Sequence, residues 1–166
     1  AQPLRYIQEL RREAAGDRPE VMAAYALACY EQKMYDVAAW WAEKAAQAAP
    51  RDASLQFVAG SLTAANPPLP PARRRGVAGA WHRAALAEKP DVIPSLLFLA
   101  RTASESGKSR EAAEYIERAY AINPGSLDVL LARAEWARTF ASGGTSRAAW
   151  DEAAKAFPNS SVVQLA

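Results

Sequence analysis

The sequence contains few of the residues on which catalytic and metal sites most often depend. It has one cysteine and one histidine among 166 residues. A single cysteine excludes an intramolecular disulfide and a cysteine zinc cluster, and a single histidine excludes the paired-histidine motif of metalloproteases. We therefore expect no catalytic residues, no metal, no cofactor and no small-molecule substrate. Cys29 and His82 are both expected to be packed helix residues.

Long apolar runs and an excess of one charge are also missing. No apolar segment approaches the ~20 residues of a membrane-spanning helix, so membrane insertion is not expected. The net charge is +2, from 20 Lys and Arg against 18 Asp and Glu. This balance argues against a dedicated nucleic-acid-binding protein. The composition, rich in alanine and arginine, is typical of a bacterial protein, and it leaves both the cytoplasm and the periplasm open.

The most abundant residue is alanine, which fills about 40 of the 166 positions. This is far above ordinary usage, and alanine is the strongest helix former. Apolar residues make up 51% and charged residues 23%, which is typical of a globular chain. The composition therefore predicts an all-α protein.

Four segments of the chain share one spacing of small residues and proline. In each, a small residue is followed seven residues later by alanine and five residues after that by proline. The four sets are Ala38-Ala45-Pro50, Ala78-Ala85-Pro90, Ala112-Ala119-Pro124 and Ser146-Ala153-Pro158. The prolines lie 40, 34 and 34 residues apart, so the period is 34 and the first interval carries six extra residues. A repeat of this length predicts stacked helical units.

Each repeat unit is predicted to contain two helices. Apolar residues recur with helical periodicity, and the recurring proline marks the end of the second helix. Gly107, and Gly143 with Gly144, predict the turn between the helices of their units. The predicted units cover residues 19–52, 53–92, 93–126 and 127–160.

The third unit carries the clearest pattern. Its key positions are Leu96, Leu99, Ala100, Ala103, Gly107, Ala112, Ile116, Ala119 and Pro124. In this order they resemble the consensus of the tetratricopeptide repeat (TPR) family, which is W-x2-L-G-x2-Y, then G, then A-x3-F-x2-A-x4-P. The resemblance implies that antiparallel helix pairs stack into a right-handed superhelical solenoid, and that the protein binds other proteins.

Segments outside the repeat are found at both ends and inside the second unit. Residues 3–15 predict an amphipathic helix, and residues 161–166 predict the start of another. Natural solenoids end in polar caps, so we expect a piece of a longer repeat protein, with an intact small protein as the alternative. The proline-rich residues 65–72 predict a surface loop, whose role the sequence does not indicate.

Three consecutive arginines follow this loop. Arg73, Arg74 and Arg75 are predicted to lie at a helix N-terminus, where the helix dipole disfavours cations. They are therefore candidates for contact with an anion, including nucleic acid. The alternative is a solvated helix end.

The family resemblance implies a binding groove along the first helix of each unit. Carried over by repeat position, the groove residues are Leu27, Tyr30, Phe57, Val58, Ser61, Leu97, Phe98, Arg101, Leu131, Glu135 and Arg138. This set is apolar in the middle and charged toward one end, which suits an apolar helix or extended segment of a partner. The alternative is that some of the apolar groups belong to the core.

These features predict a protein-interaction scaffold or adaptor. The alternative function is the non-catalytic arm of a larger enzyme, such as a glycosyltransferase or sulfotransferase, that positions a polypeptide substrate. Another copy of the same chain is a further candidate partner. Nucleic-acid binding through the arginine triplet is a third hypothesis, and it would show a steep dependence on salt.

Overall fold

The fold is entirely α-helical in the part of the chain that the structure describes. The structure is a computed structural model that describes residues 2–14, 16–141 and 143–160, with side chains from Ile7 onward. The chain divides into two compact units, residues 1–90 and 91–166. We call these the first and the second unit, and we call the predicted segments of 34 or 40 residues repeats. The helix predicted at 161–166 lies outside the described residues.

The first unit contains five helices in sequence. They are α1 Gln2–Ala14, α2 Pro19–Glu31, α3 Tyr35–Ala48, α4 Ala53–Ala64 and α5 Pro71–Glu88. Helix α1 matches the predicted preceding helix to within one residue at each end. The core of this unit is built mainly from small side chains, with larger groups such as Met22, Tyr25 and Leu62 among buried alanines. Small side chains allow the helices to approach closely, and a larger group there would overpack the contact.

The second unit contains four helices. They are α6 Ile93–Glu105, α7 Ser109–Ile122, α8 Leu127–Phe140 and α9 Gly143–Ala156. Leu96, Leu99, Ile116 and Leu130 are buried in it together with several alanines.

The recurring proline ends each second helix as predicted. Helices α3, α5, α7 and α9 each end two residues before their proline. The residue before a proline is driven away from helical backbone geometry, so the helix stops upstream. Prolines also occupy the first helical turn of α2, α5 and α6, where no amide donor is needed. Helix α4 begins instead at a capping residue, since Asp52 Oδ1 accepts from the amides of Ser54 (2.8 Å) and Leu55 (3.1 Å).

The proline-rich loop differs from its prediction in extent and in burial. It covers residues 65–70, because Pro71 begins helix α5. It is not entirely a surface loop either, because Asn66 is only 3% exposed. Asn66 Nδ2 donates to Asp36 Oδ1 on α3 at 3.0 Å. The backbone carbonyl oxygen of Asn66 accepts a hydrogen bond from the Arg74 guanidinium at 3.3 Å. The loop is therefore joined by hydrogen bonds to α3 and to α5.

We expect Asn66→Ala to lower the free energy of unfolding by about 1 kcal/mol, because it removes a part-buried hydrogen bond that joins the loop to Asp36 on α3. Pro67→Ala, at the next and exposed position, is the control and should change stability little. Urea denaturation of both variants measures the difference. Equal stabilities would show that the Asn66 side chain does not anchor the loop.

Candidate functional site

A cavity of about 380 Å³ opens in the second unit between helices α6 and α8, with one wall from α7. These two helices are the first helices of their repeats, which is where the family resemblance implied a groove. The cavity is lined by Leu97, Ala100, Arg101, Ser104, Glu105, Ile116, Ala132, Glu135, Trp136, Arg138 and Thr139. Its volume falls in the range of ordinary ligand sites.

The apolar part of the cavity is formed by side chains from three helices, namely Leu97, Ile116 and Trp136. The Trp136 indole is held in place because its Nε1–H donates to the backbone carbonyl of Ser109 at 3.0 Å. Its ring also lies 6.2 Å from that of Phe140. A tryptophan with its polar edge satisfied offers a rigid apolar surface, which is the usual anchor of a protein interface.

The rim of the cavity carries charges of both signs. Arg101 and Arg138 are exposed cations, and Glu105 and Glu135 are exposed carboxylates. The Arg101 guanidinium lies over the Phe98 ring, 5.7 Å from its centre, which restricts where this cation points. An apolar centre with a charged rim can hold an apolar side chain and orient the segment that carries it.

Four of the predicted groove residues meet at this cavity, namely Leu97, Arg101, Glu135 and Arg138. Phe98 and Leu131 are half-buried but do not line it. Adjacent residues on a helix point about 100° apart, so Leu97 and Phe98 cannot both face the same opening squarely.

Sequence reasoning missed several lining residues, of which Trp136 is the largest. One signal was available, because the matching position one period earlier is Thr102. A tryptophan that replaces a small polar residue at a repeat position is not required by the repeat.

The groove residues predicted in the first unit are divided between surface and core. Leu27 and Tyr30 on α2 are exposed, at 46% and 38%. Phe57, Val58 and Ser61 on α4 are half-buried. Val58 packs against the core of the unit, and the Phe57 ring lies 5.8 Å from that of His82. Phe57 and Val58 thus contribute to packing, as the alternative hypothesis anticipated for some apolar groups.

The three arginines of the triplet also differ in burial. Arg74 is half-buried and donates to the loop carbonyl of Asn66, so it has a structural role that the sequence did not reveal. Arg73 and Arg75 are exposed. They remain the predicted candidates for an anion.

The two side chains with reactive chemistry are both buried. Cys29 is fully buried, and burial raises the pKa of its thiol, so the nucleophilic thiolate is disfavoured. His82 is 2% exposed and packs against Gly60, where an added Cβ would lie 2.9 Å from the ring. Within the described residues, no group of three or more His, Cys, Asp or Glu side chains is arranged to hold a metal ion.

None of the helices described here combines the length and the apolar character needed to cross a membrane.

No protein-family model matches the sequence, and a search of curated proteins finds no relative. Several solved structures share the fold. The crystal structure of MamA superposes with a TM-score of 0.79 at 13% identity, covering 92% of this chain and 86% of that one. YrrB, described as a TPR protein with an unusual peptide-binding site, superposes with a TM-score of 0.75 at 15% identity. This match covers 98% of this chain and 84% of the YrrB chain.

A third similar structure is TTC0263, described as a thermophilic TPR protein in Thermus thermophilus. It gives a TM-score of 0.72 at 14% identity, and the match covers 96% of this chain and 85% of that one. The resemblance inferred from the repeat pattern is thus confirmed at the level of the fold. The chain has the all-α fold of the tetratricopeptide repeat proteins.

Proposed function

We propose that the protein is a non-catalytic interaction scaffold that binds a segment of a partner protein in the cavity between α6 and α8. The observation that carries this proposal is the cavity itself, in which Leu97, Ile116 and Trp136 form an apolar centre inside a rim of charges. A polypeptide segment offers both kinds of group, which a small apolar molecule does not.

The orientation of the bound segment follows from the two rim arginines. Arg138 makes no ion pair within the described part of the chain, and it is free to meet a carboxylate of the ligand. The Arg101 guanidinium lies 5.7 Å from the centre of the Phe98 ring, and this cation–π contact favours one orientation of the side chain. Ordering a side chain before binding reduces the entropy that binding must remove. We infer that an apolar side chain of the partner contacts Trp136 while a neighbouring acidic group contacts Arg138.

The fold supports this proposal, because YrrB has a similar structure and is described as having a peptide-binding site. The burial of Cys29 and His82 supports the absence of catalysis, because neither group is accessible to a substrate. A nucleophile also needs a nearby base that can reach it.

We expect Ala132→Trp to weaken peptide binding by about tenfold or more, because Ala132 lines the cavity and a bulky side chain there fills it. Short random peptides displayed on phage would be selected on the wild-type chain and then titrated against the variant. Ala121→Trp is the matched control, since it places the same side chain at an exposed position of the same unit that does not line the cavity.

Selected peptides should bind the control variant with nearly wild-type affinity. Both chains must show the same helical circular dichroism for the comparison to apply. If Ala132→Trp binds the selected peptides as well as the wild type does, the ligand lies elsewhere and the proposed site is wrong.

A further inference from the structure

The outer face of α3 in the first unit carries apolar residues where an amphipathic helix would be polar. Ala38, Ala42 and Ala45 form its buried side. The opposite side carries Val37 and Trp40, which are 36% and 56% exposed. These positions are three residues apart and therefore share one face. Their exposure shows that they are not part of the core of this unit.

The same positions in the second unit show that the repeat does not need apolar residues there. Helix α7 has the length of α3 and begins 74 residues later. At this offset Val37 corresponds to Glu111 and Trp40 to Glu114. These glutamates pair on the surface, Glu111 with Lys108 and Glu114 with Arg110, both at 3.1 Å. Of the two equivalent helices α3 and α7, therefore, only α3 has apolar residues at these exposed positions.

A depression of about 230 Å³ continues this face toward the proline-rich loop. It is lined by Lys33, Met34, Tyr35, Asp36, Val37 and Pro68. Met34 is 39% exposed. The depression is smaller than a typical ligand pocket, so its size suits one large side chain of a bound segment. We call Met34, Val37, Trp40 and Pro68 the α3 patch.

The extra residues of the second repeat help to form this depression. Pro68 belongs to the loop, and the loop is held by Asn66, which donates to Asp36 next to the depression. The Asp36 carboxylate is thus already engaged by a donor of the protein. This gives the insertion a role beyond joining two helices.

Two lysines and one carboxylate border the α3 patch, and the carboxylate, Asp36, already accepts a hydrogen bond from Asn66. Lys33 lines the depression in a left-handed backbone conformation, with φ of 62°, at the position where the second unit has Gly107 with φ of 72°. A lysine is disfavoured in this conformation relative to glycine, so the backbone at Lys33 is locally strained. The Lys44 ammonium lies 5.2 Å from the ring centres of Trp40 and Trp41, beside the patch.

We propose that the α3 patch binds an acidic segment of a partner protein. In this complex one large apolar side chain of the segment enters the depression between Met34, Val37 and Pro68. Carboxylates on either side of it contact Lys33 and Lys44, and neither lysine has an ion pair within the described residues. Positive charge around an apolar centre is complementary to an acidic segment, and it increases the rate of association as well as the affinity.

The test uses a synthetic peptide array. Each peptide has a central phenylalanine, tryptophan, leucine or glycine, flanked by increasing numbers of glutamate or, in a second series, lysine. Binding to the full chain is expected to require the large central residue and to rise with the number of glutamates. It should weaken with added salt, because exposed charges are screened.

Two variants connect this binding to the α3 patch. The double variant Val37→Gln with Trp40→Gln removes the two exposed apolar side chains without adding charge. It should therefore stay folded and melt within a few degrees of the wild type, yet bind the acidic peptides at least about tenfold more weakly. Lys33→Gly should raise the melting temperature while it weakens binding several-fold. Ala132→Trp, in the other unit, should leave this binding unchanged, which separates the result from the cavity proposed above.

Several results would overturn the proposal. One is an array in which no acidic peptide is retained, or in which lysine-flanked peptides bind equally well. Another is unchanged binding by the double variant. A wild-type dimer that the double variant abolishes in analytical ultracentrifugation would show that a second copy covers the patch. Binding to phosphatidylserine-containing vesicles that the double variant loses would assign the patch to a membrane surface.

Discussion

Replacing Ala119 with aspartate is expected to lower the free energy of unfolding by about 4 kcal/mol. Ala119 is completely buried on α7, at the repeat position that Ala45, Ala85 and Ala153 also occupy in full burial. A carboxylate there would lose its hydration, which is costly for a charged group. The variant also needs room for extra atoms in a contact built for a methyl group. Thermal and urea denaturation followed by circular dichroism measure the loss.

Ala121→Asp is the matched control for this substitution. Ala121 is exposed on the same helix, two residues further on, so both variants place a carboxylate near the C-terminal end of α7 and share any effect of the helix dipole. The control should melt within a few degrees of wild type. If Ala119→Asp lowers the melting temperature no more than the control does, the assigned repeat register is wrong.

Replacing Gly60 with valine is expected to lower the free energy of unfolding by about 3 kcal/mol. A Cβ at position 60 would lie 2.9 Å from the imidazole ring of His82, and His82 is itself buried. Such a distance is shorter than van der Waals contact, so either the buried His82 ring must shift or α4 and α5 must move apart. The structure thus explains why a glycine stands inside a helix despite its unfavourable helix propensity.

Gly76→Val provides the control, because no atom lies within 4 Å of a Cβ at that position. This substitution should leave stability unchanged or raise it slightly, since valine forms helices better than glycine. Combining Gly60→Val with His82→Ala should cost less than the sum of the two single variants, because the smaller side chain makes room. If the changes in unfolding free energy of the two single variants simply add in the double variant, the His82 ring is not the reason that position 60 requires glycine.

Much of the fold could be predicted because the proline and alanine spacings report backbone geometry directly. Proline cannot continue a helix, so Pro50, Pro90, Pro124 and Pro158 indicated four helix ends that the structure confirms. Gly107 likewise indicated its turn, but the turn predicted at Gly143 and Gly144 is wrong, because both glycines lie in the first turn of α9. Lys33 did not indicate a turn, although it adopts the same left-handed conformation as Gly107, because lysine carries no preference for it.

The candidate site was harder to predict because it depends on contacts between distant residues. Trp136 is oriented by the carbonyl of Ser109, 27 residues away, and no local pattern encodes that hydrogen bond. Asn66 donates a hydrogen bond to Asp36, which is 30 residues earlier. Repeat position alone also could not tell which of the neighbours Leu97 and Phe98 lines the cavity, because that depends on how the helices are rotated.

Binding of a partner segment between α6 and α8 can be observed directly by nuclear Overhauser effects. A peptide selected on the wild-type chain would be mixed with the isotope-labelled protein, and magnetisation transfer from peptide protons would be measured. We expect transfer to the Leu97 methyl groups and to the Trp136 indole, which together line the cavity. Transfer confined to the exposed residues Leu27 and Tyr30, with none to Leu97 or Trp136, would contradict binding between α6 and α8.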